Sequence, residues 1–560
     1  MSGSSSKFDD LLTQLGTGRW NLLYFLTSSY WCLLVPPQFI SGVYLAPAIN
    51  YTCRPPESED SVHVSRDSCY YSINKSSLVG VEEEEEPCTE WDFDTSVFST
   101  TLTSEFGLVC GKAYLRATFQ SVYMFSTIFS SLISGYIADK YGRKVVVVVS
   151  MGLFSLISLV LTFVTNYQVI LALRFFMGAL SSATLYMLSM EVCEVKQRSV
   201  VGVVLGLPWA IGTMCWGALA YGIRDWRWLQ GISSFPFLII IPVLFQINES
   251  PRWLIVRGRH QQALHVLHRA ARLNKATLPP EDQLCKMMND IQAEAEMANT
   301  KSTRKGKQVL DEQRRWFTFP TPALFSTAKI RQITIVMSLN IFSCSLVYCG
   351  LSLSGNAYSS DPFLYVVIGG LMEVPGYTLS APIISRWGRK KPIIIGWFVS
   401  GASILSLVFI PKDISWLVMV LAMIGKLAIS GVFMVVFVYE AELLPTEVRL
   451  QGVAVIFVAG QIAATCSPYL ADFLSPLVPW LPSVIFGVSS FVAGFSLFNL
   501  PETRVWRCRT PSVTSRNSTN RTSLARRRKK RSWRSYKLRH LIILYSHVMI
   551  VVSASIDNIS

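Results

Sequence analysis

The chain has 560 residues, 51% of them hydrophobic and only 16% charged, with a formal net charge of +15. A soluble chain carries about 25% charged residues and at this length splits into several domains. Here the apolar residues instead run in blocks as long as the ~20 residues that carry a helix across roughly 30 Å of hydrocarbon, which excludes a water-soluble protein and identifies an integral membrane protein.

Residues 1–19 are polar and read as a cytosolic N-terminus; the apolar stretch after them is too long for the core of a cleavable signal. Twelve spans follow, at residues 20–46, 114–138, 145–165, 169–190, 200–222 and 228–247, then 330–353, 363–385, 392–410, 415–438, 452–473 and 481–500. Prolines inside them, among them Pro208, Pro236, Pro242, Pro375 and Pro468, would end a soluble helix but are tolerated where neighbouring helices satisfy the freed carbonyls. The expected fold is an all-α membrane protein.

Orientation follows from the basic residues, which gather on the cytosolic side. With the N-terminus inside, Lys140, Arg143, Lys144, Lys196, Arg198, Arg386, Arg389, Lys390, Lys391 and Arg449 all fall on that side, as does the basic stretch 249–329. Arg224, Arg227 and Lys412 are the exceptions outside. The basic loops thus serve topology and anionic lipid, and the net charge requires no nucleic-acid partner.

The loop 47–113 then lies outside, within the first half. Its Cys53, Cys69, Cys88 and Cys110 form an even set in an oxidising compartment, so disulfides are expected, with all three pairings open. The sequons at Asn50 and Asn74 are glycosylation candidates there, whereas those at Asn517 and Asn520 fall in a cytosolic tail and are discounted. The run Glu82–Glu86 reads as a solvated loop.

The chain repeats itself. "GYIADKYGRK" after the second span returns as "APIISRWGRK" after the eighth, with Gly388 lying 246 residues after Gly142. Gly202 and Gly452 sit in similar surroundings 250 residues apart, and Ser250 and Thr503 in similar surroundings 253 apart. Three echoes at nearly one offset define two pseudo-symmetric six-helix halves, 20–248 and 330–500, joined by a cytosolic loop 249–329 with one or two amphipathic helices and followed by a basic tail 501–560. A two-fold helical repeat is the architecture of alternating-access transporters, which hold substrate near the midplane between the halves. In the first echo Asp139 is not needed for orientation, so it is free to pair with a cation across the half-interface or to cap the next helix. The second copy has Ser385 and Arg386 in place of Asp139 and Lys140.

These motifs, with "EVKQRSVVG", "ESPRWL", "YEAELLPTEVR" and the long cysteine-bearing first loop, resemble solute carrier family 22, the organic cation, anion and carnitine transporters of the major facilitator superfamily, over about residues 10–504. The resemblance implies facilitated or exchange transport of small organic ions at the plasma membrane, both termini cytosolic, without a cofactor. It also implies a gate network formed by Asp139, Arg143, Arg198, Glu249, Arg252, Glu440 and Arg449, with Arg389 as the echo of Arg143. Gln461 stands where cation-selective relatives have an aspartate and anion or carnitine relatives an arginine. The fourth span is shorter than in relatives, and the tail after Arg504 is unlike them.

An ionisable side chain within a span is costly and usually faces a cavity. Glu373 in "GGLMEVPGY" is therefore the candidate partner of an organic cation, and Lys426 in "IGKLAIS" either meets a carboxylate or neutralises Glu373. Tyr348, which matches an aromatic lining position of relatives, offers a π face, and Asn340 and Gln461 offer polar contacts. Phe125, Trp209 and Trp216 read as packing or interface residues. His260, His265 and His268 read as an ordinary helix face rather than a metal site, and no phosphate-cradling loop or catalytic triad pattern appears, so no enzyme is expected. The expected substrate is a small organic cation or carnitine-like zwitterion; an organic anion carrier and a non-transporting membrane sensor or scaffold are the alternatives.

Overall fold

The computed structural model describes residues 7–54, 62–64, 69–77, 80–181, 184–194, 201–202, 205–307, 327–359, 361–411, 414–445 and 449–503. The first half holds helices α1 (Arg19–Phe39), α2 (Tyr114–Tyr141), α3 (Arg143–Val160), α4 (Tyr167–Leu180, resuming at Thr184–Glu191), α5 (Leu207–Gly222) and α6 (Trp226–Gln246). The second holds α7 (Ala328–Leu353), α8 (Pro362–Trp387), α9 (Lys390–Ser406), α10 (Ser415–Leu443), α11 (Arg449–Pro468) and α12 (Leu481–Ser496). Among the described residues nine helices are long and apolar enough to cross a membrane unaided. The other three, α1, α5 and α9, occupy expected spans but are less apolar or, at 16 and 17 residues for α5 and α9, shorter.

The helix starts follow local chemistry. Asn166, Asp225 and Asp361 cap α4, α6 and α8, each side chain accepting hydrogen bonds from the second and third N–H groups of its helix. The turns from α2 to α3 and from α8 to α9 need a residue with positive φ, and glycine supplies it: Gly142 at +112° and Gly388 at +87°.

The loop after α1 carries the only strands among the described residues. β1 (Tyr51–Arg54) pairs antiparallel with β5 (Glu90–Phe93), and β2 (Val62–Val64), β3 (Tyr70–Ser77) and β4 (Gly80–Pro87) form a second antiparallel sheet. The acidic run, expected as an open loop, lies instead in β4 and is backbone-paired with β3, with Glu82 opposite Lys75. Cys53 faces Cys88 and Cys69 faces Cys110 with Cα separations of 5.9 and 5.7 Å, each a disulfide. Those links draw the strand ends together, and a short hairpin becomes affordable there.

Before α7, helices Pro251–Val256, His260–Asn274 and Glu281–Lys307 fill the central loop. Ala263, Val266, Leu267, Ala270 and Ala271 form the buried stripe of the middle one, spaced as an amphipathic helix requires. The N-terminal helix Lys7–Leu15 buries Phe8, Leu11, Leu12 and Leu15 against this group. His260 bonds Gln292 at 2.7 Å, and no metal-holding cluster occurs among the described residues.

The halves meet along two helix pairs, α2 against α11 and α5 against α8. Small residues permit the second: a Cβ on Gly370 would come within 2.9 Å of the Ala210 carbonyl, and one on Gly217 within 3.1 Å of the Phe363 carbonyl. On the face bearing the disulfide loop, hydrogen bonds cross between the halves from Tyr44 to the Pro362 carbonyl (3.1 Å), between Thr118 and Tyr469 (3.0 Å) and from Ser121 to the Thr465 carbonyl (2.8 Å). Towards the face of the glycine turns the helices part. The buried residues of α2 end at Ser130 but for Ala138, and those of α8 end at Ser380. The loop face is closed and the turn face open.

Candidate functional site

Glu373 of α8 is fully buried at mid-span. Burying a carboxylate there is tolerable only with close partners, and the fold supplies three. Lys426 of α10 places Nζ 3.0 Å from its Oε1, Tyr348 of α7 donates to Oε1 at 2.7 Å, and Tyr377, one turn along α8, donates to Oε2 at 3.2 Å. Lys426 is 4% exposed. Its Nζ also bonds Ser352 and lies 3.6 Å from the centroid of the Tyr348 ring. The aromatic face and the carboxylate thus converge on one cation.

The first half reaches this cluster through Trp209 of α5, whose Nε1 donates to the Tyr348 hydroxyl at 2.9 Å. Expected as packing, Trp209 also carries the hydrogen bond that ties this cluster to the first half. Phe39 packs edge-on against it at 5.1 Å. Trp216, tilted against Tyr44, and Phe125, beside Phe129, keep their packing roles. A cavity of about 10 Å³ lies loop-side of the cluster, bounded by Ile40, Thr213, Ser352, Tyr365 and Lys426.

Two expected contacts lie elsewhere. Gln461 of α11 accepts from Thr127 of α2 at 2.7 Å, joining the seam rather than the cluster. Asn340 is committed inside the second half: it donates to Ser496 at 2.9 Å and accepts from Trp397 Nε1 at 3.0 Å. The sequence reading also passed over Arg174 of α4, fully buried, although its place mid-span was the signal that flagged Glu373. Its guanidinium lies between the rings of Phe119 and Tyr123 at 4.5 and 4.6 Å and donates to Ser41 at 2.6 Å.

At the turn face each half has its own charge network. Arg143 pairs with Asp139 at 2.9 Å and with Glu191 at 3.2 Å, while Glu249 accepts from the Arg143 and Lys144 backbone N–H groups at 2.9 and 3.1 Å. Asp139 therefore pairs within its own half, and the helix-capping role falls to Glu249. In the second half Glu502 accepts from the Arg389 and Lys390 N–H groups at 3.0 and 3.1 Å. There Arg389 pairs with Glu442 at 2.7 Å. Glu442, not Glu440, is the acid that pairs with Arg389. Two residues apart on a helix point to opposite sides, and Glu440 is buried with Oε2 unpartnered. Arg252 is exposed on its short helix and Arg449 begins α11; Arg198 lies outside the described residues.

Residues 62–507 match the family described as sugar (and other) transporter. Human solute carrier family 22 member 13 is 31% identical over 425 residues, covering 75% of this chain and 72% of that one. This chain belongs to solute carrier family 22, within that larger transporter family. Human organic cation/carnitine transporter 2 is similar over a longer stretch, 27% identical over 526 residues and covering 87% and 90% of the two chains. Among solved structures, the proton:xylose symporter XylE, a major facilitator superfamily protein, superposes with a TM-score of 0.57 at 16% identity, covering 86% of this chain and 96% of its own. The family 22 chain therefore has the major facilitator fold and is a multi-pass membrane transporter rather than an enzyme.

Proposed function

We propose that this protein carries small organic cations or zwitterions across the plasma membrane by alternating access, with the Glu373, Tyr348 and Lys426 cluster as its binding site. The observation that carries the reading is the fully buried Glu373, bonded to Tyr348 and Lys426 and linked to the first half through the hydrogen bond from Trp209 to Tyr348. A buried carboxylate beside an aromatic face suits an ammonium group. The name of the human organic cation/carnitine transporter 2 supports the same class.

The loop face is taken as extracellular and the turn face as cytosolic, with both termini on the cytosolic side. The disulfide-linked cysteines, the exposed Asn50 and the basic turns support that sidedness. In the state described the site is shut from outside and the helices part towards the cytosol. Substrate release inward therefore requires the Glu373 contacts to loosen, and Trp209 ties Tyr348 to the motion of the other half.

Lys426 supports a second reading, in which an organic carboxylate pairs with the ammonium group. Uptake of labelled tetraethylammonium, carnitine and an aryl carboxylate by cells expressing the protein separates the two. Glu373→Gln is expected to abolish uptake of the first two compounds when uptake is normalised to the amount of protein at the surface. Undiminished cation uptake by that variant would remove Glu373 from the mechanism, and binding without saturable flux would favour a sensor.

A further inference from the structure

A second charge pair lies nearer the loop face and, unlike Glu373–Lys426, joins the two halves. Arg116 of α2 places Nε 3.2 Å from Oδ2 of Asp472, in the π-helical stretch Tyr469–Leu474 that continues α11. Arg116 is only 7% exposed, and its Nη1 also donates to the Leu108 carbonyl at 3.3 Å, two residues before the disulfide-bonded Cys110. This arginine therefore touches three bodies at once: its own half, the opposite half and the stapled loop. A cavity of about 30 Å³ adjoins the pair, lined by Gly42, Ala46, Gln120, Leu353 and Pro468 as well as the two charges. Leu353 follows Ser352, which lines the cavity beside Lys426, so the two spaces succeed each other along the seam.

Any motion that opens the loop face must draw Arg116 away from Asp472, because one sits on each half. Separation leaves a nearly buried guanidinium and a carboxylate without partners, and an unpaired buried charge is what a membrane protein avoids. A ligand carrying both signs removes that obstacle. Its carboxylate takes the place of Asp472 on Arg116, and its ammonium takes the place of Arg116 on Asp472. The Glu373–Lys426 pair lies deeper and within the second half alone, so opening the face does not separate its two members. At this outer pair a lone cation would leave Arg116 unmatched, and a lone anion would leave Asp472 unmatched.

We propose that Arg116 and Asp472 form an outer binding station for zwitterions, a latch that such a ligand opens by substituting for both of its charges. In the closed state the cavity has room for a water or two, so the ligand binds as the face opens. This rests on reading the chain as a carrier of organic ions.

The test is uptake of carnitine, tetraethylammonium and benzoate by Arg116→Gln and Asp472→Asn, normalised to surface biotinylation. Each variant is expected to raise the carnitine KM about tenfold. Arg116→Gln, which frees the carboxylate, is expected to lower the tetraethylammonium KM; Asp472→Asn, which frees the guanidinium, is expected to lower that of benzoate. The exchanged pair Arg116→Asp with Asp472→Arg is expected to bring carnitine back to within about threefold. A latch without ligand contact would shift all three probes by one factor in both variants, and that outcome, or no shift at all, overturns the proposal. Should a single variant fail to reach the surface, Arg116→Lys keeps the charge but not the fork, and only its carnitine KM is expected to rise. An unchanged carnitine KM with uptake still abolished by Glu373→Gln would sink the outer station alone, whereas uptake surviving Glu373→Gln would sink the inner reading.

Discussion

Glu249 and Glu502, 253 residues apart, occupy equivalent positions. Each accepts hydrogen bonds from the two N–H groups that follow a positive-φ glycine, those of the first two residues of α3 in one half and those of the N-cap Arg389 and the first residue of α9 in the other. A carboxylate at a helix N-terminus satisfies free donors and meets the positive end of the dipole. In each copy the lysine then reaches back to carbonyls at the end of the same half, Lys144 to Phe245 and Lys390 to Phe498. The repeat is thus a repeat of mechanism as well as of sequence.

The two caps predict an additive effect. Glu249→Gln and Glu502→Gln are each expected to cost about 1 kcal/mol, the usual loss of a capping interaction. Because the sites share no partner, the double variant should lose the sum to within about 0.5 kcal/mol. Thermal unfolding in detergent, followed by size-exclusion fluorescence, measures this; a double variant no worse than either single one would mean the caps act as one unit.

Glu373 and Lys426 predict the opposite, a strong departure from additivity. Removing one member of a buried pair leaves the other charge uncompensated at a typical cost of about 3–5 kcal/mol, whereas removing both is far less damaging. Lys426→Met alone is expected to express poorly, and Glu373→Gln with Lys426→Met to recover surface level while remaining inactive. Surface biotinylation of the four forms reads the coupling, and equal expression of all four would show the pair is not buried as described.

Trp209 predicts an effect on transport with little effect on folding. Trp209→Phe keeps the ring against Phe39 but loses the donor to Tyr348. A single lost hydrogen bond of about 1 kcal/mol changes an equilibrium about fivefold, so the substrate KM is expected to move by that factor at unchanged surface level. Tyr348→Phe, which loses the bond to Glu373 as well, should show a larger effect in the same uptake assay.

What could be read in advance follows from the range of each force. The helices were legible because bilayer thickness sets their length, and Glu373 and Lys426 because charge within a span is costly wherever it occurs. Their pairing was legible only as an alternative, since residues 53 positions apart meet through the angle between α8 and α10, which no local pattern encodes. Glu440 and Glu442 show the limit at finer scale: both lie in one motif, and only helix phase decides which faces Arg389. The Arg116–Asp472 pair was not legible at all, because its members lie 356 positions apart on helices of different halves. Trp209 was indistinguishable from packing because its role depends on a single atom, the indole N–H.

Arg174 carries a prediction of its own. It is fully buried, without a carboxylate partner among the described residues, and is held instead by two aromatic faces, the Ser41 hydroxyl and the Gln38 carbonyl at 3.1 Å. A planar guanidinium stacks on rings and directs several donors at once, whereas a lysine ammonium is a more strongly hydrated point charge with fewer donors. Arg174→Lys therefore keeps the charge and loses the geometry, and is expected to fold less well than Arg174→Gln, which carries no charge to desolvate. The comparison isolates geometry from charge: Lys above Gln in surface expression would show that the positive charge itself holds α4 in place, and Gln above Lys that the stacked, multiply bonded plane does.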